Sequence, residues 1–556
     1  MRSLTSVLFL TLFYSFGAHL SIAQSQNAQQ VRLNTAEAER IIGLEFNASE
    51  RDSMQQNLRE QLGEYAELRG LNLLNSRSPV LLFDPIPLKW NKPVDHNSPS
   101  TFTFPSTIQR PEAIERLAFA SVAELSTLIR TQQVSSEELT RMYLDRLKRF
   151  NGELFFYVTL LEEYALERAR AMDKEIAEGK YRGPLHGIPY GAKDLLAFPS
   201  YKTTWGAMPY RDQVIDETAA VIEKLDAAGA VLTAKLSLGA LAWGEVWFDG
   251  MTRNPWNTNQ GASGSSAGSG SAVSSGALPF AIGSETLGSI VSPSTRNGVT
   301  GLRPTFGRVS RHGAMALSWT MDKLGPMCRT AEDCAMVLEA IHGKDDRDPT
   351  TKAFGFSYDT TKPLRSIRVG YYKSLFEANY PGKTNDQAIL TILDSLGIEL
   401  IEVSLPDFPS NALSFILSAE AAAAFDELTR SNRDDELVRQ VRNAWPNVFR
   451  SARFIPAVEY INANRARGIL IEMMHESLRE VDVVLSPSFG GSQLQITNLT
   501  GHPALVMPNG FNNNGNPTSI TIVGQLFGEA DVVRIAAEIQ KHTNFHRQMP
   551  PKFAVQ

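Results

Sequence analysis

Residues 261–276 read GASGSSAGSGSAVSSG: five Gly, three Ala, seven Ser and one Val. By composition alone this is a flexible linker. Its surroundings argue otherwise. Asn254-Pro255-Trp256-Asn257-Thr258 precedes it, and ALPFAIGSETLGSIVSPST, residues 277–295, follows with a strand-like apolar run. Small residues inside an ordered domain let backbones approach closely and adopt unusual φ/ψ. Such stretches serve where backbone N–H groups point at a ligand. A phosphate loop ends in Gly-Lys-Ser/Thr, and this stretch has no Lys. Gly264-Ser265-Ser266-Ala267-Gly268 matches GxSxG, but a nucleophile elbow needs a buried strand before it, and NPWNTNQ is polar. A serine nucleophile served by a lysine is the remaining chemistry.

Outward from this segment, helix and strand patterns alternate. Helix starts are expected at Ser121, Ser135 and Thr330, and a helix over Ala219–Ala228 ends at Gly229. Ala230–Thr233, Ile367–Tyr372 and Val481–Leu485 read as strands. This alternation predicts an α/β fold, a central sheet covered by helices, over residues 116–550. Residues 85–115 form a Pro-rich linker or strap with Pro85, Pro87, Pro93, Pro99, Pro105 and Pro111. Residues 24–84 form a helical N-terminal extension. There Ser49-Glu50-Arg51-Asp52 resembles a capping box, and Met54, Leu58, Leu62, Tyr65 and Leu68 predict a helix with one buried face.

The whole chain has 556 residues, 43% hydrophobic and 21% charged, with a net charge of −6. That excludes a disordered or fibrous protein and leaves no basic block for nucleic acid. Two cysteines, Cys328 and Cys334, exclude a disulfide scaffold; they either pair with each other or sit as small buried side chains. Arg2, the apolar run VLFLTLFY over residues 7–14 and Ser21-Ile22-Ala23 make residues 1–23 a secretory signal peptide. A periplasmic or secreted protein with no other membrane span is therefore expected.

Several strings together resemble the amidase signature family: GPLHGIPYGAKD (183–194), TRNPWNTN (252–259), SGSSAGS (263–269), GSETLGSI (283–290), VTGLRPTFGRVSRHG (299–313) and LGPMCRTAEDC (324–334). The similarity spans Phe119 to Phe545. The resemblance implies a single large domain with a mixed sheet. It implies Lys193 as base, Ser265 as the relay after a cis peptide bond, and Ser289 as nucleophile. The backbone N–H groups of Thr286, Leu287, Gly288 and Ser289 correspond to the family's oxyanion hole. The same pattern departs from the family at two places. Leu287 stands where the family has Gly, and Val291 where it has Arg, so Glu285 needs another partner, with Arg296 and Arg303 as candidates.

The chemistry is coherent without the resemblance. A serine hydroxyl needs a base, and no histidine lies near Ser289 in the chain. A lysine serves if its pKa falls from about 10.4, which burial beside Ala192, Leu195 and Leu196 favours. Ser265 can accept and donate a proton at once. The expected function is an exported serine amidase. The alternatives are the glutaminase (A) subunit of a glutamyl/aspartyl-tRNA amidotransferase and a non-catalytic protein on the same scaffold. No cofactor and no metal are expected; His542 and His546 have helical spacing but lack an acidic ligand pattern and read as surface residues. The expected partner is a small-molecule or peptide amide, and a homodimer is left open. Trp243, Trp247 and Phe248 belong either to an acyl pocket or to a buried aromatic core.

Overall fold

A computed structural model describes residues 33–71, 73–88, 90 and 98–555. The signal peptide expected at residues 1–23 lies outside them. The described residues up to Arg77, with Phe454–Ala457, form one compact unit; Ser78–Arg453 and the residues from Val458 onward form the other.

The smaller unit carries helices Ala36–Ile42, Ala48–Ser53 and Gln55–Arg69. The capping box is two residues earlier than expected. Asn47 Oδ1 accepts the N–H groups of Ser49 and Glu50, and Glu50 reaches back to the Asn47 N–H at 2.7 Å. Asn47 supplies the short acceptor and Glu50 the longer arm that the motif needs. The expected buried face is a second correction. Leu62, Tyr65 and Leu68 are exposed, and the buried residue of that helix is Gln55. Polar bonds hold this unit instead: Gln55 to both backbone groups of Leu33 at 2.9 Å, and Arg51 to Glu39 at 2.8 Å.

The described residues of the Pro-rich segment belong to the large unit. Just ahead of them Phe83 meets Phe306 edge-on at 5.0 Å, and Asp84 pairs with Lys352 at 2.7 Å. Further along, Thr101 N–H bonds the Tyr358 carbonyl at 2.7 Å, and Phe102 stacks on the Tyr358 ring.

Among the described residues eleven strands build the central sheet. In chain order they are β1 Tyr157–Leu160, β2 Pro189–Lys193, β3 Val231–Leu236, β4 Phe280–Glu285, β5 Thr300–Arg303 and β6 Lys323–Cys328. Then follow β7 Val369–Tyr372, β8 Leu400–Val403, β9 Val483–Pro487, β10 Ala504–Phe511 and β11 Pro517–Gly524. Their spatial order is β1-β3-β2-β4-β6-β5-β10-β11-β9-β7-β8. The pairs β3/β2, β2/β4, β9/β7 and β7/β8 are parallel, so the sheet is mixed. Every residue of β2, β3, β4 and β6 is buried, as expected for central strands flanked by helices.

The helix starts expected at Ser121 and Ser135 are capping boxes closed by Glu124 and Glu138, and Thr330 caps the helix Ala331–Ile341. Cys328 and Cys334 are free and buried. His546, expected at the surface, is buried, and burial pushes its imidazole down to about 4. Among the described residues no helix is long and apolar enough to cross a membrane, and no group of His, Cys, Asp and Glu fits a metal ion.

Register brings the site together. Gly191 and Ala192 of β2 pair with Ala281 and Ile282 of β4. The parallel strands therefore end side by side, at Lys193 and at Ser284-Glu285. In α/β sheets the carboxyl ends of strands are where ligands bind.

Candidate active site

Lys193 closes β2 and is fully buried. Its Nζ donates to Ser265 Oγ at 2.7 Å, Ser284 Oγ at 2.8 Å and Ser266 Oγ at 3.0 Å. Three hydroxyls match the three donors of an ammonium; a neutral amine would donate to two of them and accept from the third. Burial pushes the Lys193 amine well below the ordinary lysine range, against the pull of Asp322 and Glu285. The site therefore favours a neutral lysine.

The Gly/Ser segment is neither flexible nor exposed. A cis peptide joins Gly264 to Ser265, and the helix Ala267–Ser274 that follows is buried at every residue. A Cβ on Gly264 would stand 1.9 Å from the Gly244 carbonyl oxygen, and one on Gly268 would stand 2.3 Å from the Phe156 oxygen. The small residues are there because two other backbones press against them. The strand before this segment, Asn257–Gly261, is partly exposed, so the nucleophile-elbow pattern fails structurally. Ser266, the elbow's serine, is fixed to β4 instead: its Oγ accepts the Ser284 N–H and donates to the Ser284 carbonyl, both at 3.1 Å.

Ser289 sits beside this hub at 9% exposure. Its carbonyl accepts the Ser266 N–H at 3.2 Å. The bonded network from Lys193 stops at Ser265; among the described residues no hydrogen bond continues from it to Ser289. Catalytic hydrogen bonds in unliganded sites are often formed only with substrate.

The loop 286–289 has the properties of an anion hole. Among the described residues its four backbone N–H groups meet no acceptor. Gly288 has φ +84°, a conformation that side chains disfavour. Leu287 has no such φ and is 36% exposed.

Two carboxylates hold the loop, Asp322 partly buried and Glu285 fully buried. Asp322 Oδ1 accepts the Thr286 hydroxyl at 2.6 Å, and its Oδ2 accepts the N–H groups of Leu317 and Ser318. Glu285 Oε2 accepts the N–H groups of Ile290 and Val291 at 2.8 and 2.9 Å, just past Ser289. Its other oxygen takes Arg303 at 2.7 Å and Asn498 at 2.8 Å. Burial alone would raise the Glu285 carboxyl, but Arg303 and the N–H donors outweigh it and hold it at about 2. Arg303 is thus the partner that Val291 cannot be, while Arg296 reaches Gln260 on the surface.

Lys193, Ser265, Ser289 and the loop 286–289 are therefore brought to one place. Sequence reasoning missed Ser266 and Ser284 around the amine, and Asp322 and Asn498 beneath the loop. Trp247 is buried, whereas Trp243 and Phe248 are partly exposed.

The family described as Amidase matches residues 138–497, which contain all these groups apart from Asn498. The chain belongs to that family of amide-hydrolysing enzymes. It is 30% identical over 478 residues to the A subunit of glutamyl-tRNA(Gln) amidotransferase from Marinomonas sp. (strain MWYL1), covering 77% of this chain and 98% of that one. To the protein of the same name from Methylococcus capsulatus it is 31% identical, over 78% and 99% of the two chains. Among solved structures, the native peptide amidase from Stenotrophomonas maltophilia superposes with a TM-score of 0.70 at 27% identity, covering 79% of this chain and all of that one.

Proposed function

We propose that the chain cleaves a carboxamide C–N bond through an acyl-enzyme on Ser289. Neutral Lys193 takes the Ser289 hydroxyl proton by way of Ser265, whose own proton moves to the amine as it accepts the next. Ser289 Oγ bonds to the carboxamide carbon, and the carbonyl oxygen becomes an oxyanion. The N–H groups of residues 286–289 would stabilise it, each worth about 10²–10³ in rate. The protonated lysine returns its proton through Ser265 to the departing nitrogen, the C–N bond breaks, and ammonia or an amine leaves. Water then attacks the ester by the same relay and frees the carboxylic acid. The observation that carries this reading is a fully buried lysine with a lowered pKa, 2.7 Å from Ser265 Oγ.

The biological setting has two readings. The curated relatives favour a glutaminase that hands ammonia to partner chains, since both are named as one component of an amidotransferase. The leader pattern of residues 1–23 favours a free-standing amidase acting in the periplasm or outside the cell. The test is ammonia release by the purified chain alone from L-glutamine and from a C-terminal peptide amide, alongside Ser289→Ala. Hydrolysis of the peptide amide, absent in the variant, supports the amidase. Glutamine hydrolysis that needs added partner chains supports the amidotransferase. The mass of the protein exported by its host tests the leader.

A further inference from the structure

We propose that the substrate's acyl group is apolar and is gripped between Leu287 and Trp243. The proposal rests on the reading of Ser289 as nucleophile. Leu287 stands two residues before Ser289 and is 36% exposed, although the residues on which its loop is built are buried. Leu494 lies against the same loop, its Cδ2 being 3.2 Å from where a Gly288 Cβ would be. Phe489, just ahead of the helix that carries Leu494, is exposed as well.

The second side of the proposed grip is the loop 239–244. The carbonyl of Asp194, the residue after Lys193, accepts the Trp205 N–H at 3.2 Å, and the Trp205 carbonyl accepts Leu241 N–H at 2.9 Å. At the loop's far end the Gly244 oxygen presses on Gly264, next to Ser265. The loop is thus tied through Trp205 to the neighbour of Lys193 and through Gly244 to the neighbour of Ser265, with Trp243 just ahead of Gly244. The Trp243 ring meets Trp445 edge-on at 4.7 Å. Trp445 in turn stacks on Phe449 at 5.1 Å, with its indole N–H on the Leu241 carbonyl at 2.9 Å. Trp243 therefore rests on a fixed aromatic stack and keeps part of its surface open.

Leu287 and Trp243 are carried by the loop of Ser289 and by the loop that presses on the Ser265 segment, and the Ser289 and Ser265 segments meet at the Ser266–Ser289 backbone bond. Exposed apolar surface at a reacting centre gains most from an apolar ligand. The ammonium and carboxylate of a glutamine-sized group would instead lose water against the Leu287 and Trp243 side chains.

The test compares the p-nitroanilides of hexanoic and acetic acid, and L-glutamine, in the full chain, in Leu287→Ala and in Trp243→Ala. Alanine at 287 keeps the Cβ, so glycine's backbone freedom does not enter. The unchanged protein is expected to favour the hexanoyl over the acetyl anilide by at least about tenfold in kcat/KM. Each variant should lose at least about threefold more on the hexanoyl compound than on the acetyl one. Equal losses on both, or a preference for glutamine, overturn the proposal. Fluorophosphonate labelling of Ser289 separates the two layers. Labelling retained with unchanged selectivity sinks the apolar grip alone; no labelling of the unchanged protein sinks the nucleophile reading with it.

Discussion

Two stretches of this chain mislead a reader in opposite directions. Residues 261–276 have the composition of a linker, yet their helix is buried throughout. Residues 54–68 have the spacing of a packed amphipathic helix, yet Leu62, Tyr65 and Leu68 are exposed. Small side chains do not mark looseness when other backbones need the space they leave. Apolar periodicity marks a helix but does not state what covers it.

The same substitution in both places is the strongest way to break this comparison. Gly264→Ala puts a Cβ 1.9 Å from a backbone oxygen, and the variant is expected to lose its folded catalytic unit and all activity. Gly63→Ala meets nothing within 4 Å in a helix interior and should stabilise its unit by about 1 kcal/mol. Thermal unfolding of the two variants side by side checks both; equal effects would erase the distinction.

Next in size is Glu285→Gln. It leaves Arg303 buried without its counter-charge and should destabilise by about 3–5 kcal/mol, read by denaturant unfolding. Its pH dependence has a definite sign. A carboxyl held at about 2, below its ordinary 4.5, stabilises fully above pH 4.5 and loses that contribution as pH falls toward 2. The acid limb of unfolding should therefore flatten in the variant. Full activity at pH 7 without loss of stability would remove Glu285 from the account.

The lysine sharpens the comparison through pH. Its pKa is lowered by burial, and in the proposed mechanism the neutral form is the working one. The hydrolysis rate should fall by about tenfold per pH unit below that lowered value. Folded Lys193 binds fewer protons than unfolded lysine, so its burial opposes folding most at low pH and least above the ordinary lysine pKa. Lys193→Met should accordingly lose activity while gaining relative stability as pH falls. The smallest effect belongs to the extension: Leu68→Lys, on an exposed face, should change unfolding stability by no more than about 0.5 kcal/mol.

Much of this was legible in the chain itself. Ser121, Ser135 and Thr330 announce their helices because a cap is local chemistry, complete within four residues. That Lys193, Ser265 and Ser289 come together was legible from strings that stand together in family order. The groups beneath them were not, because they arrive from far away. Asn498 reaches Glu285 across 213 residues, and Arg303 does so only because β5 and β4 both flank β6. Ser284 is hidden by strand alternation: nothing in GSETLGSI says which hydroxyl faces the amine of another strand. The exposed helix was misread for the converse reason, since a stripe of leucines carries no information about a covering partner.

The most direct test of the central claim is peptide mass spectrometry of the folded protein after reaction with a fluorophosphonate. A single adduct on Ser289, absent in Lys193→Ala, is the predicted result. An adduct on Ser266, or none while a control serine hydrolase reacts, would contradict it.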